Sequence, residues 1–341
     1  MDILSLSPLT DIHVGGHVGA KLDAVLQARI LSPHARTEIL GEALDAFRRR
    51  VDDRLKPGSG IWQGEFWGKW MLSAVGAQRY TGSEALLESI RASSHALTAT
   101  QDEDGYIGTY SNSGFVQSPG GKINWNIWCR KYTLWGLIEA YDLLQEEGIL
   151  AASIRFADHM LTQVGPDHVP IIDTGQFCGL PSTSILLPMV RLYRHTGEER
   201  FLDYAHYIVD QWSAHPGQPP DIVRKGLTGT PVHQWFSEPE KWTKAYELIS
   251  CVEGLVELYR IEGTQDWLDC AVAIHRALLE YERNIFGGIG KNDKLRASRY
   301  LLETEAEICD AVYWQRLTTQ LLCHTGDTLY ADEIERTLYN V

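Results

Sequence analysis

One short unit recurs along the 341-residue chain and fixes its fold class before any other feature does. An apolar helix end runs into a turn centred on glycine, and a second amphipathic stretch follows. It appears at Arg79-Tyr80-Thr81-Gly82, Leu192-Tyr193-Arg194-His195-Thr196-Gly197, Leu258-Tyr259-Arg260-Ile261-Glu262-Gly263 and Leu321-Leu322-Cys323-His324-Thr325-Gly326, with a looser copy at Leu144-Gln145-Glu146-Glu147-Gly148. Successive glycines lie 66, 49, 66 and 63 residues apart, which leaves room for two helices and their loops per unit. Each glycine suits the left-handed position that ends one helix before the chain re-enters the next.

The stretches after the turns agree. Phe201, Ala205, Ile208 and Trp212 fall at offsets 4, 8, 11 and 15 from Gly197, and Trp267, Ala271, Ile274 and Leu278 repeat those offsets from Gly263. That spacing is one face of a helix and not the alternation of a strand. The sequence therefore predicts an all-α core of helical hairpins. Between the hairpins run long loops rich in Gly, Pro and Trp: residues 56–69, 102–131, 164–184, 214–246 and 286–307. Regular solenoids do not need such loops, whereas an α/α toroid uses them to build one mouth over its axis.

Composition narrows the function. Lys and Arg number 31 against 45 Asp and Glu, a net charge of −14, which disfavours a nucleic-acid or anionic-membrane surface. No apolar run approaches membrane-spanning length, and the first 16 residues lack a basic start followed by an apolar segment, so the chain reads as soluble and cytoplasmic. The six cysteines show no CxxC spacing and are expected as thiols. The twelve histidines show no HxH or HExxH spacing, so no all-histidine metal site is expected, and GxSxG, P-loop and GxGxxG motifs are missing, which sets aside the common esterase, NTPase and dinucleotide readings. The excess lies in 11 Trp and 15 Tyr, flat rings that either stack on sugars or fill cores.

Several pieces, in order, resemble the catalytic domain of the family 127 glycoside hydrolases, the β-L-arabinofuranosidase group. They are Gly64-Glu65-Phe66-Trp67-Gly68-Lys69-Trp70, Gln101 with Asp104-Gly105-Tyr106, Trp125 to Tyr132, Lys244-Ala245-Tyr246-Glu247, Gly287-Gly288-Ile289-Gly290, Glu307-Ile308-Cys309, and Tyr330 to Glu335. The resemblance implies an (α/α)6 barrel spanning 1–341 as a single domain, cut before C-terminal β-sandwich domains. It also implies retaining hydrolysis at a zinc site of one Glu and three Cys, one of them the proposed nucleophile. Glu307 and Cys309 match half of that set, and the adjacent Cys-Cys pair has no counterpart here. The family's acid/base Glu belongs in the loop after Gly-Gly-Ile-Gly, yet Lys291 to Ala297 contains no Glu. Glu303 and Glu305 fall outside the pattern, Arg130 stands where the family has His, and Gly179-Leu180-Pro181-Ser182 replaces a Gly-His pair.

Glu307 and Cys309 could both grip one zinc ion from an extended loop, with the metal holding the sulfur deprotonated. Equally, Cys309 could be a small buried residue at a helix start, with Glu307 answering the helix dipole. Glycosidases need two carboxylates across the scissile bond, and Glu307, Glu305 and Glu247 are the catalytic candidates. Trp67, Lys69, Asp104, Tyr106, Trp125, Arg130 and Tyr246 are the candidates for binding an oligosaccharide or polysaccharide, although each also has a packing role open to it. Two rivals stay open: a carbohydrate-binding barrel without catalysis, and another toroid enzyme such as an unsaturated uronyl hydrolase, in which Arg130 and Lys131 would meet a carboxylate. Two ligands hold zinc weakly. The isolated chain is therefore expected to carry little zinc and to cleave an aryl β-L-arabinofuranoside slowly, as metal content and hydrolysis measured on one sample will show.

Overall fold

The structure, a computed structural model, describes residues 2–50, 61–117, 124–215, 217–300 and 307–341. Among the described residues there is no strand, only isolated bridges such as that between Lys244 and Lys294. No described helix is long and apolar enough to cross a membrane. The chain falls into two compact units, Ser7–Val169 and Met1–Leu6 with Pro170–Val341.

The Ser7–Val169 unit contains α1 (Gly16–Val25), α2 (Leu40–Arg49), α3 (Gly64–Thr81), α4 (Glu84–Thr98), α5 (Asn126–Leu144) and α6 (Glu147–Leu161). The other contains α7 (Leu180–Thr183), α8 (Leu186–Thr196), α9 (Glu199–Gln211), α10 (Ile222–Leu227), α11 (Pro239–Trp242), α12 (Ala245–Glu262), α13 (Gln265–Tyr281), α14 (Ile308–Thr325) and α15 (Thr328–Asn340). Five hairpins account for most of this: α3 with α4, α5 with α6, α8 with α9, α12 with α13, and α14 with α15.

The glycine turns form as the sequence predicts. Gly82, Gly197, Gly263 and Gly326 end α3, α8, α12 and α14 in the left-handed conformation, with φ between 64° and 70°. Three are prepared by the preceding threonine. The hydroxyls of Thr81, Thr196 and Thr325 donate to the carbonyls of Ala77, Leu192 and Leu321 at 2.7, 2.9 and 2.8 Å and accept the N–H of Ser83, Glu198 and Asp327. The looser copy differs from expectation, because the left-handed residue is Gln145 and Gly148 lies in the first turn of α6. The Gln145 amide donates to the carbonyls of Tyr141 and Asp142, so its side chain caps the helix end that a glycine would leave bare.

Each hairpin is layered. α5 is buried without interruption from Asn126 to Ile138, and α12 from Ala245 to Leu258, so both are enclosed on every side. Their partners bury only a stripe, as Leu268, Ala271, Ile274 and Leu278 do on α13. At this turn Leu268 and not Trp267 reaches the core, while Trp267 donates to Glu262 at 2.9 Å.

Within the Ser7–Val169 unit, α3 and α5 cross at glycines. A Cβ on Gly68 would lie 2.1 Å from the Tyr132 carbonyl oxygen, and one on Gly136 would lie 2.9 Å from the Gly68 Cα. Gly76, farther along α3, faces open space. Gly68→Ala is therefore expected to force the helices apart and destabilise by about 1–3 kcal/mol. Gly76→Ala should raise stability by about 0.5–1 kcal/mol through helix propensity alone. Thermal melting of the two variants against the parent checks both signs.

Candidate active site

In the Pro170–Val341 unit the turns Gly263 and Gly326 lie at the far ends of α12 and α14. An 18-residue helix such as α12 is about 27 Å long. At the opposite ends, where these helices begin, acidic and basic side chains gather. Glu307 is the N-cap of α14 with extended backbone, half-buried, and its carbonyl accepts the N–H of Asp310 at 3.1 Å. Carboxylate oxygens of Asp293, Glu307 and Asp310 all lie within 4.8 Å of one another. This group of oxygens could hold a metal ion.

The loop supplying Asp293 follows Gly287-Gly288-Ile289-Gly290. Gly290 has φ 72°, and a Cβ there would press to 3.2 Å on both Asp310 Oδ2 and the Lys294 carbonyl. Asn292 and Asp293 then adopt φ 50° and 59°, a left-handed conformation that Asn and Asp tolerate better than other side chains but less freely than glycine. What holds them is α12. The Ala245 N–H donates to the Asp293 carbonyl at 3.1 Å, and the Lys244 ammonium pairs with the Asp293 carboxylate. Lys244 also lies 3.4 Å from Glu247 Oε1.

Burial dominates the electrostatics. Glu247 is 0 % exposed, and that burial pushes its carboxyl up against the opposing pull of Lys244. Asp310 is also 0 % exposed, and burial, then the charges of Glu307 and Glu247, push its carboxyl up to about 8. Lys294 is pushed down to about 8 by burial and by Lys244, with Glu247 and Asp310 opposing. Its ammonium rests 4.2 Å from the ring centroid of Phe177, and that of Lys244 rests 5.3 Å from the same ring. Tyr246 stacks obliquely on Tyr313 at 5.5 Å. Farther along the same helix pair, Arg316 meets the buried Glu253 at 2.9 Å beside a cavity of about 270 Å3 lined by Gln315, Thr319 and Gln320.

The remaining candidates belong to the Ser7–Val169 unit. Trp67 is enclosed and donates to Ser93 Oγ at 2.7 Å. Lys69 is half-buried, 3.1 Å from Glu65, whose other oxygen accepts the Trp128 indole N–H. Trp125 is half-buried and meets Trp128 edge-on at 5.9 Å. Arg130 is buried, donating to Asn126 Oδ1 at 3.0 Å and the Ser113 carbonyl at 2.6 Å. Its guanidinium lies 4.9 Å from the ring of the buried Tyr106, which Arg50 approaches at 5.1 Å. Asp104 is exposed, accepting the Tyr106 N–H at 3.1 Å, with His159 at 3.4 Å.

Glu247 and Glu307 thus act on one neighbour, Asp310, while Glu305 and Glu303 lie outside the described residues. Cys309 is half-buried, so it is not the enclosed apolar residue that one reading expected, and it is not part of the three-carboxylate group. Sequence reasoning missed Lys244, Asp293, Lys294 and Asp310. Asp310 was within reach, three residues after Glu307, and Asp293 lay in the very loop searched for a Glu.

The geometry can be set beside known proteins. The family described as β-L-arabinofuranosidase, GH127 catalytic domain, matches residues 30–341. The non-reducing end β-L-arabinofuranosidase of Bifidobacterium longum subsp. longum is 22% identical over 301 residues, 80% of this chain and 44% of that protein. A solved GH127 β-arabinofuranosidase superposes with a TM-score of 0.73 at 20% identity over 98% of this chain and 53% of its own. The GH127 β-L-arabinofuranosidase of Geobacillus stearothermophilus T6 gives 0.65 at 20% identity over 95% and 53%. These likenesses show the fold, an all-α barrel of helical hairpins, and the chain spans about half the length of the relatives it matches. With the family matched from residue 30 to residue 341, the chain belongs to the GH127 glycoside hydrolases, as a β-L-arabinofuranosidase-type catalytic domain.

Proposed function

We propose that this domain hydrolyses a non-reducing-end furanoside of the β-L-arabinofuranoside type in a plant or bacterial glycan. The observation that carries the reading is the place of Glu307, half-exposed at the start of α14 within the family-matched residues, with further carboxylates beside it. Cleaving a glycoside takes a proton for the leaving oxygen and a second carboxylate for the oxocarbenium-like transition state. Glu307 is the open member of the cluster, and Glu247, buried and held toward its protonated form, is its partner in this reading. Glu305 remains a third candidate. Trp125 and Lys69, which keep part of their surface open, are assigned to sugar contact. Asp104 and Tyr246 stay in the proposed binding set, whereas Trp67, Tyr106 and Arg130, enclosed among their own partners, are left to packing. The uronate alternative gains no support, since Lys131 is fully buried over the rings of Trp128 and Tyr132.

The resemblance implies zinc at Glu307 and Cys309, but the donors described around Glu307 do not fit it. They are the carboxylates of Asp293 and Asp310, an oxygen set, where a zinc site of the implied kind is rich in thiolate. The chemistry above therefore uses carboxylates alone.

Two outcomes follow from the site. Cleavage of an aryl β-L-arabinofuranoside, slow in this chain, should fall about 10²-fold or more in Glu307→Gln, a larger loss than in Cys309→Ser, with the α-anomer as control. Equal activity of Glu307→Gln and parent would remove Glu307 from the mechanism. Stability also depends on pH through Asp310. Its folded carboxyl titrates at about 8 against an ordinary 3.8, so the folded state holds the proton that the unfolded state releases, and the parent loses stability as pH rises from about 4 to 8. In EDTA, Asp310→Asn should raise the melting temperature at pH 8 by several degrees more than at pH 4. A constant offset across that window would place the Asp310 titration elsewhere.

A further inference from the structure

We infer that the outer side of α13 carries a second glycan site, a groove against α10 and the turn after it that holds a polysaccharide chain outside the carboxylate cluster. The groove encloses about 530 Å3 and lies wholly in the Pro170–Val341 unit. Ordinary ligand clefts span roughly 300–1,000 Å3. Its walls are set by the fold before any ligand arrives. α10 approaches α13 closely because residue 226 is glycine, where a Cβ would lie 2.6 Å from Cys270 Sγ. The chain then reverses at Gly229, with φ 67°, and the N–H groups of Gly229 and Thr230 donate to the carbonyls of Gly226 and Lys225 at 2.8 and 3.0 Å. The Trp235 indole donates to the Thr230 carbonyl at 2.8 Å, so the turn leading to Pro231 is fixed, and a wall already ordered adds little entropic cost to binding.

The lining is amphipathic in the way a sugar is. Ala273 and Ala277 give α13 an apolar floor. Tyr281 is half-buried at one end and packed against the ring of His233 at 5.1 Å, which offers a flat face to the C–H side of a sugar ring. Arg276 is exposed at the floor and has no hydrogen-bond or ion-pair partner among the described residues. Asp269 and Glu280, also exposed, line the same groove. Sugar hydroxyls need donors and acceptors side by side, which a guanidinium and two carboxylates supply. The same charges disfavour other polymers. Two carboxylates to one guanidinium, on a chain of net charge −14, repel nucleic acid and anionic lipid, and Arg276 opposes a basic peptide. From Asp269 to Tyr281 the floor follows α13 for about 18 Å, room for several sugar units in a row. The Tyr281 end adjoins the segment that follows Asp293: Arg299 donates to the Glu280 carbonyl at 2.8 Å, and the Glu282 carboxylate accepts the N–H groups of Ala297 and Ser298 at 2.7 and 3.0 Å. The inference rests on the glycoside hydrolase reading for its choice of ligand.

The test is affinity electrophoresis of the whole 341-residue chain through gels holding soluble arabinan, arabinogalactan or arabinoxylan, with polylysine as the rival ligand. Retardation by at least one glycan is expected. Arg276→Ala, Tyr281→Ala and Ala273→Phe, the last of which fills the floor, should each weaken it about fivefold or more while keeping a cooperative melt. Hydrolysis of the aryl β-L-arabinofuranoside, which has no chain to reach the groove, should stay that of the parent in all three. Lack of retardation by every glycan, or retardation indifferent to all three variants, overturns the groove, and persisting aryl hydrolysis would then leave the glycosidase reading intact. Conversely, groove-dependent retardation of a chain that cleaves no furanoside keeps the site and removes that reading. Retardation by polylysine that the variants abolish, with none by a glycan, assigns the groove to a basic partner and overturns the inference.

Discussion

A helix enclosed on every side can carry charge only where a counter-charge accompanies it, and α12 carries three glutamates inside its buried length. Glu247 meets Lys244, Glu253 meets Arg316 of α14, and Glu257 collects Arg194 of α8, Arg260 of its own helix and Gln320 of α14. Removing one partner from a buried pair typically costs about 3–5 kcal/mol, because the survivor is stranded. The pairs therefore do more than add stability. A slip of α12 against α8 or α14 would strand several charges at once, so register within the Pro170–Val341 unit is tied to them, and with it the position of the Glu247 end.

The two ends of the hairpins use left-handed backbone differently. At the turns, where only direction matters, the residue is glycine in four of five cases and the conformation costs little. In the loop that supplies Asp293 it is Asn292 and Asp293, residue types that enter this conformation more readily than other side chains, though less freely than glycine. Asp293 shows what that choice achieves. Its carbonyl is engaged by the start of α12 while its carboxylate turns to Lys244 and the oxygens of Glu307 and Asp310. A glycine would take the backbone more easily and bring no charge.

The hairpins were legible because a glycine turn and an apolar face at helical spacing are local signals, repeated. Gln145 escaped the pattern because its amide does by hydrogen bonding what glycine does by conformation. Of the site, Glu247 and Glu307 were legible as acids near helix starts. Lys244 and Asp293 were not, since their pairing joins positions 49 residues apart through a left-handed loop that carries no periodic mark. The aromatics were the least legible. Trp67 and Tyr106 have the composition of a sugar platform, yet both are enclosed, one by a hydrogen bond to Ser93 and the other beside two guanidinium groups. Sequence cannot distinguish a ring that faces a cavity from one that fills it.

The carboxylate cluster has more acid than base, and a buried system of that kind relaxes through its protons. Protons can stay on, which is the direction in which Glu247 and Asp310 are pushed, and the neighbouring ammonium can weaken, as that of Lys294 does. The furanoside proposed as substrate is uncharged and supplies no proton on arrival. In the proposed reaction the charge state that meets the glycosidic oxygen is thus set before the sugar binds, by pH. The half-exposed Glu307 is the one member of the carboxylate trio with surface through which that state can reach a substrate.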